Sequence, residues 1–131
     1  MQWSLADPNW KPSSDPTTRF VTEEDRKWYE SVDLPIVAYS ATSGGYFANK
    51  NVSVGLYDNP TNIARRERAE ELASKLNCTP AQIAMSYLLH QKPLTFPIFR
   101  TTNQAHLTEI MGSVSISLSD EQVQWLRDGE K

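Results

Sequence analysis

Cysteine is almost absent from this chain of 131 residues: Cys78 stands alone. A disulfide framework within the chain is therefore excluded, and a reducing cytoplasm suits the composition. Cys78 directly precedes a helix cap and reads as a half-buried small residue rather than a nucleophile. Long apolar runs are missing too. None approaches the ~18 residues of a membrane span, and no signal peptide precedes the first polar segment. Nor is there a surplus of positive charge. The 13 Lys and Arg face 16 Asp and Glu, a formal net charge of −3, which leaves no basic footprint for nucleic acid. Arg65, Arg66 and Arg68 are interleaved with Glu67, Glu70 and Glu71 and read as a solvated helix face. The two histidines, His90 and His106, lie in different segments. His90, near a predicted helix end, suits that helix's dipole better than a metal, and no metal site is predicted. Internal repeats and low-complexity segments are absent as well. What remains is ordinary globular material, 39% hydrophobic and 22% charged, enough for one domain with one core.

The chain opens on a strand-like stretch over 2–6, followed by a long loop over 7–18 that Pro8, Pro12 and Pro16 stiffen. A loop of this length is usually functional or disordered. Thr22-Glu23-Glu24-Asp25 has capping-box spacing, and a helix should run from there to about Ser31, burying Trp28 and Tyr29. Leu34 to Ser40 is a compact apolar run, suited to a central parallel strand covered on both faces. Residues 41–51 are small and glycine-bearing, and 48–60 look irregular. A helix over 61–77 carries an apolar stripe of Ala69, Leu72, Ala73 and Leu76, with Asn77 as its stop. Thr79-Pro80-Ala81-Gln82 caps a second helix over 80–91, which buries Ile83, Ala84, Tyr87 and Leu88. A strand over 95–99, a polar turn over 100–103 and a helix over 104–111 follow, with Gly112 as the expected C′ glycine. Ser119 to Gln122 is a third capping box, and its helix packs Val123 and Leu126. Strands alternating with helices predict an α/β fold of parallel β/α units. Three parallel strands would leave two open edges, so the chain should self-associate or form part of a larger domain.

Two stretches carry candidate binding chemistry. In 95–109, a strand leads through a polar turn into a helix N-terminus, whose N–H groups and dipole favour an anion. Arg100 adds a permanent charge with a fork of donors, Thr101 and Thr102 add hydroxyls, and Asn103 caps the helix. The plainer alternative is a capped turn with a surface arginine. In Ala41-Thr42-Ser43-Gly44-Gly45, the glycine pair permits positive φ and a close backbone approach to a ligand, or else simply makes a flexible turn.

Leu34-Pro35-Ile36-Val37-Ala38-Tyr39-Ser40, the small-residue loop, Tyr57-Asp58-Asn59, Ala81-Gln82-Ile83-Ala84, Pro97-Ile98, His106-Leu107 with Glu109, and Asp120-Glu121-Gln122 together resemble the C-terminal part of the aldo-keto reductase family. Their order and spacing carry the likeness, which covers almost the whole chain. The resemblance implies the last three strands of a TIM (β/α)8 barrel that binds NADP(H) at the carboxyl ends of its strands. It implies that residues 1–131 form one partial, cofactor-binding domain. Tyr39 then matches the aromatic that stacks on the nicotinamide ring. Ser40, Ala41, Thr42 and Gly44 match the segment embracing the pyrophosphate. Arg100 and Thr101 match the pair that holds the 2′-phosphate, with Thr102 and Asn103 in the same turn. His106 lies where many members carry an arginine beside the adenosine, and Glu109 matches an acid that contacts the adenine. Two positions depart from the family pattern: Ala41 stands in place of a usual proline and Ile110 in place of a usual asparagine.

The resemblance places the catalytic Asp, Tyr, Lys and His on four earlier strands, so no catalytic residue is assigned here. The residues agree, since no Tyr–Lys–Asp grouping that could supply a tuned proton donor is visible. The expected activity is reduction of aldehydes and ketones, with the carbonyl substrate bound only in a full barrel. Two other readings stay open: a non-catalytic interaction module, since the family also resembles the potassium-channel β subunits, and a structural α/β piece without a ligand.

Overall fold

The computed structural model describes residues 1–9, 19–48 and 55–129. Its elements are α1 (Glu23–Ser31), β1 (Ile36–Ala38), α2 (Pro60–Leu76), α3 (Pro80–Leu89), β2 (Thr95–Pro97), α4 (Gln104–Met111) and α5 (Asp120–Asp128). Single 3₁₀ turns occur at Ser43–Gly45 and Gly112–Ser115. The fold is α/β with parallel strands. Most of the predicted loop 7–18 and the middle of the irregular stretch 48–60 lie outside the described residues.

The helix starts follow from local chemistry. Thr22, Thr79 and Ser119 each accept a hydrogen bond from the N3 backbone N–H, while the side chain at N3 (Asp25, Gln82 or Gln122) accepts from the cap's own N–H. Two orphan donors per helix are thereby satisfied. Asn59 caps α2 by accepting from Asn62 N–H, and Asn77 closes it in the left-handed conformation at φ 54°.

β1 and β2 pair in parallel, with Ile36 opposite Thr95 and Ala38 opposite Pro97. Two further segments extend the array. Tyr39 N–H donates to Met1 O at 3.1 Å, and Trp3 N–H donates to Tyr39 O at 3.2 Å. On the far side, Gln2 N–H bonds Arg19 O at 2.8 Å, and Val21 N–H bonds Gln2 O at 3.0 Å. The lateral order is thus 19–21, 1–3, β1, β2, all parallel. The expected strand over 2–6 pairs only at its start, because the chain bends at Leu5 and Ala6, where the Ser4 hydroxyl bonds Ala6 O. Residues 19–21 were not expected in the sheet.

β2 ends on proline at an informative place. Ile36 N–H bonds Leu94 O and Ile98 N–H bonds Ala38 O, so the even-numbered residues of 94–98 carry the ladder to β1. Pro97 therefore turns its missing N–H toward the outer edge, where the ladder loses nothing.

The helices cover one face of this array. Ile36, Ala38 and Thr95 are buried with Ala69, Leu72 and Ala73 of α2, Ile83, Ala84, Tyr87 and Leu88 of α3, and Leu126 of α5. On the opposite face Val37, Phe96 and Ile98 remain 52%, 51% and 54% exposed, with Tyr39 beside them. Among the described residues, then, β1 is covered on one face and not on both.

Three other expectations are corrected. Trp28 is 56% exposed and Tyr29 only partly covered. α1 turns Arg26 and Tyr29, three residues apart, inward, which puts Trp28 on the opposite side. Arg65 is buried at 7% exposure and is no solvated residue. Its Nη1 donates to Leu5 O at 3.1 Å and to Asp7 Oδ2 at 2.6 Å, and its Nε donates to Arg127 O at 2.9 Å. Arg68 bonds Leu126 O and Arg127 O, so the two arginines together satisfy carbonyls at the end of α5. Arg66 lies 4.6 Å from the centre of the Tyr46 ring. Finally, Gly112 has φ −61° and continues into the 3₁₀ turn, so it is no left-handed C′ residue. Its lack of a side chain serves close approach, because a Cβ there would overlap the Gln82 amide.

Candidate functional site

The loops that leave β1 and β2 share the carboxyl end of the array. Beyond β1, Ser40 has φ 58°, Ser43 51° and Gly44 61°. Ser43 N–H bonds Ser40 O at 2.9 Å and Gly45 N–H bonds Thr42 O at 2.9 Å, winding the segment into a tight coil. Gly44 holds its positive φ without strain, whereas Ser40 and Ser43 adopt a region that L-residues occupy at some cost. Nothing in the sequence marked those two serines.

Beyond β2, Phe99, Arg100 and Thr101 lead into α4. Asn103 Oδ1 accepts from Ala105 N–H at 2.8 Å and His106 N–H at 3.3 Å, and Thr101 Oγ1 accepts from Asn103 N–H at 3.0 Å. The capped turn expected here is present. The cap takes up two of the N–H groups that an anion would otherwise meet.

Between the two loops lies a cavity of about 340 Å³. Ala41, Thr42, Gly44 and Gly45 form one wall, Arg100, Thr101, His106 and Glu109 the opposite one, and Ala81, Ala84 and Met85 of α3 the back. Seven of the eleven expected residues therefore converge: Ala41, Thr42, Gly44, Arg100, Thr101, His106 and Glu109. Ile110, at the position of a usual asparagine, adds apolar lining. Four of the eleven do not line the cavity. Tyr39 and Ser40 sit beside the loop at the end of β1. Thr102 and Asn103 border a shallow groove with Gln104 and Leu107.

Gln2 was missed at the sequence level. Its Nε2 donates to Ser40 Oγ at 3.0 Å, while its Oε1 is buried with no partner among the described residues. Ser43 Oγ is also buried and unpartnered there. Buried acceptors and hydroxyls of this kind normally have a partner.

Elsewhere the chemistry is structural. A cleft of about 470 Å³ between α1 and α5 is lined by Arg26, Arg65, Arg127, Glu23, Asp7 and Asp128. Its charges are spent on one another: Arg26 pairs with Glu23, Arg65 with Asp7 and Arg127 with Asp128. Burial pushes the Cys78 thiol up, which removes it further from nucleophilic duty. Among the described residues no group of three His, Cys, Asp or Glu could hold a metal, and no helix is long and apolar enough to cross a membrane.

Comparison with known proteins agrees with the geometry. Residues 2–129 match the model of the aldo/keto reductase family. A probable aldo-keto reductase 1 from Glycine max is 30% identical across an alignment covering 79% of this chain and 34% of that protein. A thermostable aldo-keto reductase solved with the inhibitor epalrestat superposes with a TM-score of 0.62 at 23% identity, over 96% of this chain and 37% of the other. The aldose reductase of Schistosoma japonicum superposes with a TM-score of 0.61 at 19% identity, over 98% of this chain and 32% of the other. At those identities the structural likeness is one of fold. The chain spans about a third of the length of the relatives it matches. With its parallel β/α array and a family match running nearly end to end, the chain belongs to the aldo/keto reductase family.

Proposed function

We propose that this chain is the C-terminal, NADP(H)-binding portion of a (β/α)8 barrel that reduces aldehydes or ketones. The observation that carries the reading is the convergence of seven expected residues on one cavity at the carboxyl ends of two parallel strands, the place where barrel enzymes hold ligands. The open face of Val37, Tyr39, Phe96 and Ile98 suits the inside of a barrel, which is packed with apolar side chains.

The residues present fit the nucleotide. Arg100 and Thr101 offer a charged fork and a hydroxyl for a 2′-phosphate, with Glu109 and His106 flanking the adenosine end. The coil from Ser40 to Gly44 lets backbone approach a pyrophosphate. Tyr39 gives an aromatic face for the nicotinamide ring, and the unpartnered Gln2 Oε1 beside it suits the amide N–H of that ring's carboxamide. When bound, the reduced nicotinamide supplies a hydride to a carbonyl carbon. This chain's residues bind and orient the nucleotide. The proton for the carbonyl oxygen needs a donor of tuned pKa, which this reading assigns to other strands of the barrel. On the same reading Tyr39 stacks on the ring and is not that donor.

The reading is tested by titrating the chain with NADP(H), with saturable binding as the expected result. The 131-residue chain should at the same time show no NADPH-dependent aldehyde reduction. Turnover that disappears with Tyr39→Phe would overturn the assignment of proton transfer to other strands. A second expectation concerns assembly. With one apolar face exposed and no further strand on the array's margins among the described residues, the isolated chain should self-associate or unfold readily. Light scattering that shows a stable, well-behaved monomer counts against it.

A further inference from the structure

α3 and the segment from α4 to α5 are joined by a polar seam. Gln82 and Ser86, one turn apart on α3, and His90 at its C-terminal cap each bond the backbone of that later segment. Gln82 Nε2 donates to Glu109 O at 2.7 Å, and Ser86 Oγ donates to Ser113 O at 2.9 Å. Leu118 N–H donates to His90 Nε2 at 3.3 Å, while His90 Nδ1 bonds Ser86 O at 2.8 Å. Two rungs fasten helices away from the cavity. The first stands directly behind it, since Ala81 of α3 and both Glu109 and Ile110 of α4 line the cavity, whereas Gln82 does not.

Gln82 is fixed at both ends. Its Oε1 accepts from Thr79 N–H at 3.0 Å within the capping box, and its Nε2 holds Glu109 O. Turning the amide over would set NH₂ against N–H and oxygen against oxygen, so only one orientation satisfies both neighbours. Gly112, one turn after Glu109, leaves the space the amide occupies. Gln82 is thus the polar tie between α3 and α4 that stands nearest the cavity at Glu109.

We propose that Gln82 is a positioning residue of the nucleotide cavity, holding Glu109 at the distance that admits the adenosine end without touching the ligand itself. This rests on the cofactor reading above. The capping box alone accounts for Gln82 Oε1 and not for Nε2.

The test uses adenosine 2′,5′-bisphosphate as probe, titrated against the 131-residue chain and three variants. Gln82→Glu keeps an oxygen for Thr79 N–H but sets a second one against the Glu109 carbonyl. Gly112→Ala displaces the amide from the other side. Ser86→Ala cuts the neighbouring rung and serves as the control for lost stability. Gln82→Glu and Gly112→Ala should each weaken the bisphosphate about tenfold. Ser86→Ala should lower the melting temperature yet change affinity by no more than about twofold. If the unaltered chain binds but Gln82→Glu binds equally well, or Ser86→Ala loses as much, Gln82 is a structural residue only and the cofactor reading stands. If neither the unaltered chain nor a full barrel that contains it binds the bisphosphate, both fall together.

Discussion

Replacing Arg100 with alanine should weaken NADP binding by roughly ten- to a hundredfold while leaving NAD nearly unaffected. The two nucleotides differ only in the 2′-phosphate, which brings up to two negative charges. Arg100 stands exposed in the turn that follows the half-buried Phe99, lines the cavity, and has no carboxylate partner among the described residues. A guanidinium so placed can meet a phosphate with two parallel N–H donors, each charge-assisted. Such a bond contributes about 1.5–3 kcal/mol. The helix dipole adds less than the open geometry of this turn first suggests, because Asn103 already occupies two of the leading N–H groups. Discrimination therefore rests on the arginine. Titration of both nucleotides against the unaltered chain and Arg100→Ala decides it, in a full barrel if the chain alone binds weakly. Equal losses for the two nucleotides, or no loss, would remove Arg100 from the phosphate site and leave a capped turn with a solvated arginine.

Replacing Arg65 with alanine should cost about 2–3 kcal/mol of folding stability, seen as a fall of roughly 6–12 °C in melting temperature. The carboxylate of Asp7 is well exposed, so that ion pair is heavily screened and is not the main loss. The loss comes from two carbonyls, Leu5 O and Arg127 O, which lose a charged donor in a buried setting. Arg65 and Asn62, one turn apart on α2, grip the same stretch. Asn62 bonds both the N–H and the carbonyl of Asp7, at 2.9 Å and 2.6 Å. Arg65→Lys should recover only part of the stability, because an ammonium on a flexible stem cannot reach three acceptors in different directions. Thermal unfolding of both variants supplies the check, and a loss below about 0.5 kcal/mol, the scale of a surface change, would make Arg65 a surface residue after all.

What could be read from residues alone was whatever closes within a few positions. Thr22 with Asp25, Thr79 with Gln82 and Ser119 with Gln122 each meet over three residues, and all three helix starts fell where expected. The two turns were legible singly, as a glycine pair and a capped turn beside Arg100, and it was the resemblance that put Thr42 and Arg100 in one site. Arg65 was not legible. Alternating charge looks the same on a solvated helix as on one whose arginines reach carbonyls some sixty positions away. The pairing of 19–21 with Gln2 left no periodic trace, since one bridge needs only one extended residue. Gln82 was read correctly and incompletely, because the capping box explains one end of its amide and hides the other. Thr102 and Asn103 were counted as ligands because they share a turn with Arg100. Proximity in sequence did not turn them toward the same space.

Pro97 on the outer margin of β2 has a consequence for how this array can grow. A row of strands extends indefinitely only if each margin both lends protons and takes them. Along 94–98 the outward-facing places alternate with those bound to β1, and of the two in β2 Thr95 keeps its N–H while Pro97 has no proton to lend. A strand added on that margin meets one donor fewer, at a residue that costs the ladder to β1 no hydrogen bond.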